Sequence, residues 1–308
     1  MKKILILTDG KAGHENQSKA LASALGDAFD IIKTSYKSRF AKALSYVCSR
    51  LGLSSESLFS LEKKPQNGEY CAVVGTGSGV FYPVKAIAKK LGVRCAVVLY
   101  PRGYRLGDFN CILSPSFDNP AKKANIIEIP ANLVPTNEQS YKSGVESFLA
   151  QHTPAENKRR IAVIVGGPNG SATMSADWMR EELEKIFSST KDCEHWVTSS
   201  RRTPPDVETV IDSFPWDYKL IYSRDHYNPI PAFVSLAESL YVTAESTGML
   251  SEACTHGSAK VFVLDNLKPG NHKFRTFVDN LQRDGYLGGD KKIDLTKQFN
   301  EARKLLGI

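Results

Sequence analysis

His14 lies in a short glycine-bearing run, Gly10-Lys11-Ala12-Gly13-His14-Glu15-Asn16-Gln17, which follows the apolar stretch from Lys3 to Leu7. An imidazole titrates near neutrality, so a histidine just past the carboxyl end of a strand can take a proton from a substrate hydroxyl. His14 is therefore the candidate catalytic base. An equally weighted alternative is that the ring caps the following helix or bonds a loop. Gly10 and Gly13 would allow a ligand close to the backbone, and Gln17 could point toward it. The run matches neither a Walker A loop nor Gly-x-Gly-x-x-Gly.

Three later junctions suit an anion. Gly166-Gly167-Pro168-Asn169-Gly170-Ser171 follows a second apolar strand, and backbone N–H groups there could cradle phosphate through Gly166, Gly167, Asn169, Gly170 and Ser171. A plainer account is a tight connection needing positive φ, which requires one or two glycines rather than three. Ser200-Arg201-Arg202-Thr203 sits at another strand end. Paired arginines there fit a diphosphate, at roughly 1.5–3 kcal/mol per charge-assisted hydrogen bond; the alternative is a solvated basic turn. In Thr243–Ala253, Ser246, Thr247 and Gly248 at a helix start can meet phosphate, Glu252 can accept from a ribose diol, and Glu245 and Ser251 crowd the same junction. A structural account makes Ser246 or Thr247 an N-cap and Glu252 a surface residue.

These junctions require strands and helices in alternation. Continuous apolar runs predict strands at 3–7, 30–33, 71–75, 94–99, 110–113 and 125–129, then at 161–165, 194–198, 218–221, 239–243 and 260–264. Such runs belong to parallel sheets covered on both faces. Helices are expected at 14–27, 37–52, 80–91 and 136–150, then at 172–188, 204–213, 230–237, 247–256, 271–284 and 294–306. With 308 residues, two domains are the natural division. The polar, proline-bearing stretch 153–160 sets the expected boundary, giving domains 1–156 and 157–308, the second including the last helix.

The net charge of +7 favours anionic partners. No RNP-like, zinc-finger or helix-turn-helix pattern occurs, so nucleic acid is not expected. Six scattered cysteines without a C-x-x-C pair read as free, buried thiols. The nearest match to a metal-holding Asp-x-Asp pair, Asp192-Cys193-Glu194, falls at the wrong end of its strand, and no metal is expected. No apolar run reaches the ~18 residues of a membrane helix, and Met1-Lys2-Lys3 leads straight into a strand, so the expectation is a cytoplasmic protein. Residues 36–53 carry Phe40, Leu44, Val47 and Leu51 at helical spacing beside Lys37, Arg39, Lys42 and Arg50. Such a stripe is more often a core face, and is expected to be one here. The alternative is peripheral docking on the anionic inner membrane.

Asp9 to Gln17, Gly166 to Gly170, Ser200 to Pro204, Asn228-Pro229 and Ser251-Glu252-Ala253 together resemble the mitochondrial-fission "elongated mitochondria" family, over most of the chain. That family is similar to GT-B glycosyltransferases, and the resemblance implies an α/β, GT-B-like fold of two Rossmann-like parallel-sheet domains facing a central cleft. Ser251-Glu252-Ala253, Gly257 and Val261-Phe262-Val263 look like the nucleotide-sugar segment of the lipid-II-forming N-acetylglucosaminyltransferase. By that likeness Glu252 would hold the ribose, Ser246, Thr247 and Gly248 the phosphates, and Gly13-His14 the acceptor side. Two positions depart from the pattern: Pro168 replaces a phosphate-binding serine, and Glu245-Ser246-Thr247-Gly248 replaces an aspartate with serines. The implied activity is metal-independent glycosyl transfer from a nucleotide-diphosphate sugar, which acts as co-substrate with no other cofactor, to an acceptor of undetermined identity. The alternatives are a nucleotide-sugar 2-epimerase and a non-catalytic adaptor.

Overall fold

A computed structural model describes residues 2–26, 28–135, 138–270 and 272–308. The expected helix ends at Asp27, Thr136, Asn137 and Asn271 lie outside the described residues. The chain divides into two compact units, Met1–Thr136 with Asp294–Ile308, and Asn137–Ile293.

The first unit runs β1 (Lys3–Thr8), α1 (Ala12–Leu25), β2 (Phe29–Tyr36), α2 (Arg39–Arg50), β3 (Phe59–Leu61), β4 (Tyr70–Thr76), α3 (Phe81–Leu91), β5 (Arg94–Val98), β6 (Cys111–Pro115) and β7 (Ile126–Ile129). Its seven strands order as β3-β2-β1-β4-β5-β6-β7. All are parallel except β3, an antiparallel edge on β2 too short for its periodicity to register in the sequence. Alternate residues serve opposite faces. Leu5, Leu7, Val73 and Val97 join α3 in one core, while Ile4, Ile6, Val74 and Val98 join α1 in another. Both faces are covered, as continuous apolar strands require.

The second unit runs α4 (Glu138–Leu149), β8 (Arg159–Ile164), α5 (Ala176–Ser189), β9 (Cys193–Thr198), α6 (Pro205–Asp212), β10 (Tyr218–Leu220), α7 (Ile230–Leu236), β11 (Ser239–Thr243), α8 (Thr247–Thr255), β12 (Lys260–Leu264) and α9 (Lys273–Arg283). Its sheet is parallel throughout, in the order β10-β9-β8-β11-β12.

The division differs from a boundary at 153–160. Phe148 of α4 is fully buried against Trp196, Tyr218 and Phe233, with ring centroids 4.9, 4.7 and 5.9 Å away, so α4 belongs to the second unit. The polar stretch after it is pinned by the buried carboxylate of Glu194, which accepts from Ala155 N–H at 2.8 Å and lies 2.5 Å from His152 Nε2. The last helix, α10 (Thr296–Leu306), returns to the first unit, where Ala302 and Leu306 enter the α1 core.

One helix is turned the other way from expectation. The buried positions of α2 are Ala41, Ser45 and Ser49, Leu44 packs partly buried on the core, and the rest of the apolar stripe faces outward, with Phe40 76 % and Leu51 68 % exposed. Polar partners beneath the helix fix this orientation. Ser45 Oγ lies 3.1 Å from Tyr104 OH, and Ser49 Oγ accepts from the buried Lys85 ammonium at 3.3 Å.

All six cysteines are free; Cys95, Cys111, Cys193 and Cys254 are buried, and Cys48 and Cys71 are half-buried. Among the described residues, no helix is long and apolar enough to cross a membrane.

Candidate functional site

In the first sheet the strand order reverses between β1 and β4, and the crevice outside the carboxyl ends of strands at such a point is where open α/β sheets take ligands. β1 ends there in Thr8-Asp9-Gly10 and β4 in Thr76-Gly77-Ser78-Gly79. His14, in the first turn of α1, places Nδ1 3.1 Å from Asp9 Oδ2 and 3.2 Å from Oδ1. An ionised carboxylate only accepts, so Nδ1 carries the hydrogen and Nε2 keeps the lone pair of the neutral ring. That tautomer is the one a general base needs. Asp9 also accepts from Lys11 N–H at 3.3 Å, and Gly10 N–H donates to Thr8 Oγ1 at 3.1 Å, so the turn is tied to its strand.

Two glycines of the β4 loop close on this pair. A Cβ at Gly77 would lie 2.4 Å from His14 Cε1, and one at Gly79 would lie 2.6 Å from Asp9 Oδ2. Gly77 also has φ of +86°, in the left-handed region. Gly13 is open, with nothing within 4 Å of its Cβ position, and Gly10 adopts φ of +79°. Gln17 is buried and its amide donates back to Gly13 O at 3.3 Å, so it faces the protein rather than a ligand. Asp9, Gly77 and Gly79 are missing from the sequence-based site. The run Gly75-Thr76-Gly77-Ser78-Gly79 was the available signal, a strand entering a glycine-rich turn before a helix.

The second sheet reverses order between β8 and β11, and there the protein fills its own crevice. The Glu245 carboxylate, fully buried, accepts from Gly167 N–H at 2.7 Å, Asn266 Nδ2 at 2.8 Å and Thr243 Oγ1 at 3.3 Å, with Arg202 Nη2 at 3.7 Å. A Cβ at Gly166 would sit 1.9 Å from Glu245 Oε1, and one at Gly167 would sit 2.2 Å from Arg202 O. These glycines admit the protein's own groups rather than a phosphate, and neither has positive φ. The helix expected from 172 begins only at Ala176, capped by Ser175, so the glycine turn does not open onto its N-terminus. Instead Asn169 Oδ1 accepts from Ser171 N–H at 2.8 Å, and Gly170 O accepts from Lys268. Thr203 is also structural, its hydroxyl donating to Gly166 O at 2.5 Å. Ser251 Oγ turns back to Thr247 O at 2.5 Å.

An open pocket in this unit lies at the neighbouring strand ends. Ser200, Arg201 and Arg202 after β9, and Tyr222, His226, Tyr227 and Asn228 after β10, line a pocket of about 340 Å³. The Tyr222 and His226 rings stack at 4.6 Å, and His226 Nδ1 lies 2.9 Å from Tyr222 O. Beneath them, buried Glu208 accepts from Ser199 Oγ at 2.7 Å and Ser223 Oγ at 2.5 Å, joining α6 to both strand ends. Met249, in the first turn of α8, lines the same pocket, whereas Ser246, Thr247 and Gly248 just before it in the chain do not line it; Gly248 is open beyond its Cα. Glu208, Tyr222, His226 and Tyr227 were absent from the sequence-based site.

Glu252 is elsewhere. Its Oε1 accepts from Tyr141 OH of α4 at 2.8 Å, and burial pushes its carboxyl above the usual range, outweighing the phenol's hydrogen bond. The Tyr141 and His256 rings pack at a tilt, with centroids 4.3 Å apart. Arg201 and Arg202 thus share a pocket that Glu252 does not line. Among the described residues no three His, Cys, Asp or Glu side chains are grouped to hold a metal. Glu194 of the Asp192-Cys193-Glu194 run is buried on Trp196 Nε1 and Ala155 N.

The fold has relatives of known structure. The UDP-GlcNAc 2-epimerase from Methanocaldococcus jannaschii superposes with a TM-score of 0.53 at 14% identity, covering 99% of each chain. A putative UDP-N-acetylglucosamine 2-epimerase from Listeria monocytogenes gives 0.52 at 12% identity over 100% of this chain and 89% of that one. The UDP-GlcNAc 2-epimerase from Neisseria meningitidis, solved with UDP-GlcNAc bound, gives 0.51 at 13% identity over 100% and 98%. At these identities the likeness is one of fold, and the chain has the α/β, GT-B-like fold of two parallel-sheet units. No curated protein matches the sequence significantly. Residues 12–303 match the family described as Mitochondrial fission ELM1, and the chain belongs to that family.

Proposed function

We propose that this protein is a metal-independent glycosyltransferase that takes a nucleotide-diphosphate sugar. The observation that carries the reading is the pocket of about 340 Å³ in the second unit, where Arg201 and Arg202 stand beside the stacked Tyr222 and His226 rings. Its volume falls within the ~300–1,000 Å³ of small-molecule sites. The guanidinium groups suit a diphosphate, the aromatic pair suits a planar base, and the first turn of α8 at the border adds N–H groups and the positive end of a helix dipole. Arg201 forms no ion pair among the described residues, while Arg202 is shared with Glu245.

In the reaction, the oxygen of an acceptor hydroxyl bonds the anomeric carbon and its proton goes to a general base, the role proposed for His14 Nε2. The bond from that carbon to the diphosphate breaks, and the electron pair leaves with the nucleoside diphosphate. Asp9 keeps the ring in the accepting tautomer and stabilises the imidazolium that forms. Epimerisation would draw on additional carboxylates, and Glu15, Glu245 and Glu252 already have partners within the protein: Glu15 pairs with Lys19 at 2.7 Å, Glu245 is the buried knot, and Glu252 accepts from Tyr141. That distribution favours transfer.

Thermal-shift titration with UDP, GDP and ADP tests the donor site, since stabilisation follows RT ln(1 + [L]/Kd). The expected result is a rise in Tm with one nucleoside diphosphate that Arg201→Ala diminishes. No shift at millimolar concentrations of any of the three would favour the adaptor alternative. Incubation of the bound donor sugar without acceptor then separates the enzymes: a 2-epimer in the product would overturn transfer.

A further inference from the structure

We propose that the outward face of α2 docks this protein on an anionic lipid bilayer. The inference stands apart from the proposed transfer reaction, because it rests on the first unit's surface alone. Phe40 is 76 %, Val47 52 %, Leu51 68 % and Leu53 54 % exposed, an apolar set on one helix and the turn after it. Apolar side chains grouped in this way on a surface mark an interaction site. The helix is not loosely placed. Its fully buried positions are small or polar, with Ser45 held by Tyr104 and Ser49 by Lys85, and Lys85 is in turn held by Asp108 at 2.5 Å. A rotation that buried the apolar face would bring those buried polar groups out of their hydrogen bonds.

Charge selects the occupant. From Lys37 to Ser55 the chain carries Lys37, Arg39, Lys42 and Arg50 and no aspartate or glutamate. A second copy of this face would set cations against cations across a two-fold axis. An anionic bilayer instead offers phosphates to the basic groups and acyl chains to Phe40 and Leu51, the division of labour of an interfacial amphipathic helix. Lys42 also donates to Ser78 Oγ at 3.2 Å, in the loop whose glycines close on His14 and Asp9.

Co-sedimentation of the full chain with phosphatidylcholine vesicles, and with equimolar phosphatidylcholine and phosphatidylglycerol, tests this. Pelleting is expected only with the anionic vesicles and should weaken as salt rises. The double charge reversal Arg39→Glu with Arg50→Glu should lower partitioning about 25-fold or more, at about fivefold per basic group. Phe40→Asp with Leu51→Asp should lower it at least about tenfold. Phe40→Trp should keep binding and give a blue-shifted emission with anionic vesicles. Failure of the wild-type protein to pellet, pelleting indifferent to either double variant, or unshifted emission from Phe40→Trp would overturn the proposal. So would a stable dimer in solution that Phe40→Asp dissociates.

Discussion

Replacing Glu245 separates a structural knot from a ligand-binding group. The side chain has no exposure to solvent and accepts hydrogen bonds from Gly167 N–H at 2.7 Å and Asn266 Nδ2 at 2.8 Å, with a longer one from Thr243. Glu245→Ala leaves the first two donors buried without a partner, at about 1–3 kcal/mol each, and opens a cavity between β8 and β11. Arg202 is 42 % exposed and can turn to water, so its lost ion pair adds little. The expected cost is about 3–5 kcal/mol, or about 6–20 °C in Tm for a domain of this size. Glu245→Gln should cost only about 1 kcal/mol. Its carbonyl keeps the Gly167 bond, and its amide can meet Asn266 Oδ1, a buried acceptor with no partner in the wild-type protein, once the Asn266 amide rotates.

All three tryptophans, Trp178, Trp196 and Trp216, lie in the second unit, so urea unfolding followed by intrinsic fluorescence reports that unit selectively. A functional carboxylate held against its own stability behaves oppositely, since its removal is neutral or stabilising. An alanine variant within 1 kcal/mol of wild type, or one no worse than the glutamine variant, would refute the assignment.

Three further outcomes follow from the same geometry. His14→Ala should keep nucleotide binding, measured by thermal shift, and lose turnover; unchanged turnover removes His14 from the mechanism. Gly77→Ala forces a Cβ within 2.4 Å of His14 Cε1, so the ring must move by about 1 Å, for which a loss of about 10²-fold in turnover is expected with nucleotide binding intact. Glu252→Gln should flatten the pH dependence of the second unit's stability. Burial raises the Glu252 pKa in the folded state, so its favourable contribution is fully present below the unfolded value near 4.5 and is lost as pH rises through the folded value. The glutamine variant still accepts from Tyr141 and should therefore gain on wild type between acid and neutral pH in urea midpoints; parallel curves would contradict this.

Strand positions were legible because buried parallel strands are continuous apolar runs, as in Ile4-Leu5-Ile6-Leu7 and Ile161-Ala162-Val163-Ile164, whatever their neighbours. Helix facing was not legible for α2. Periodicity reports which residues share a face, and Phe40, Val47 and Leu51 do share one, but the direction of that face depends on what lies beneath. Tyr104, Lys85 and Asp108 decide it through hydrogen bonds to Ser45 and through the Lys85–Asp108 pair beside Ser49, and they are distant in sequence. The domain boundary failed for a related reason: proline and charge at 153–160 read as a linker, yet Glu194 binds that stretch from β9.

The glycines carry the sharpest form of the same limit. A glycine-rich turn after a strand states that something must come close to the backbone, without stating what. At Gly166 the close group is Glu245, which arrives because β11 lies beside β8; at Gly77 it is His14, because β1 lies beside β4. Strand order, absent from local pattern, thus decides which glycine turn is filled and which borders a usable crevice. The two cases are separable by coupling. Gly166→Ala places a Cβ 1.9 Å from Glu245 Oε1, so in the Glu245→Ala background the added methyl enters vacated space, and the double variant should be more stable than the sum of the two losses by more than 1 kcal/mol. Gly77→Ala has no such remedy in His14→Ala, because its φ of +86° is strained for any side chain. Additive losses at Gly166 and Glu245 would mean that the glycine serves some group other than that carboxylate.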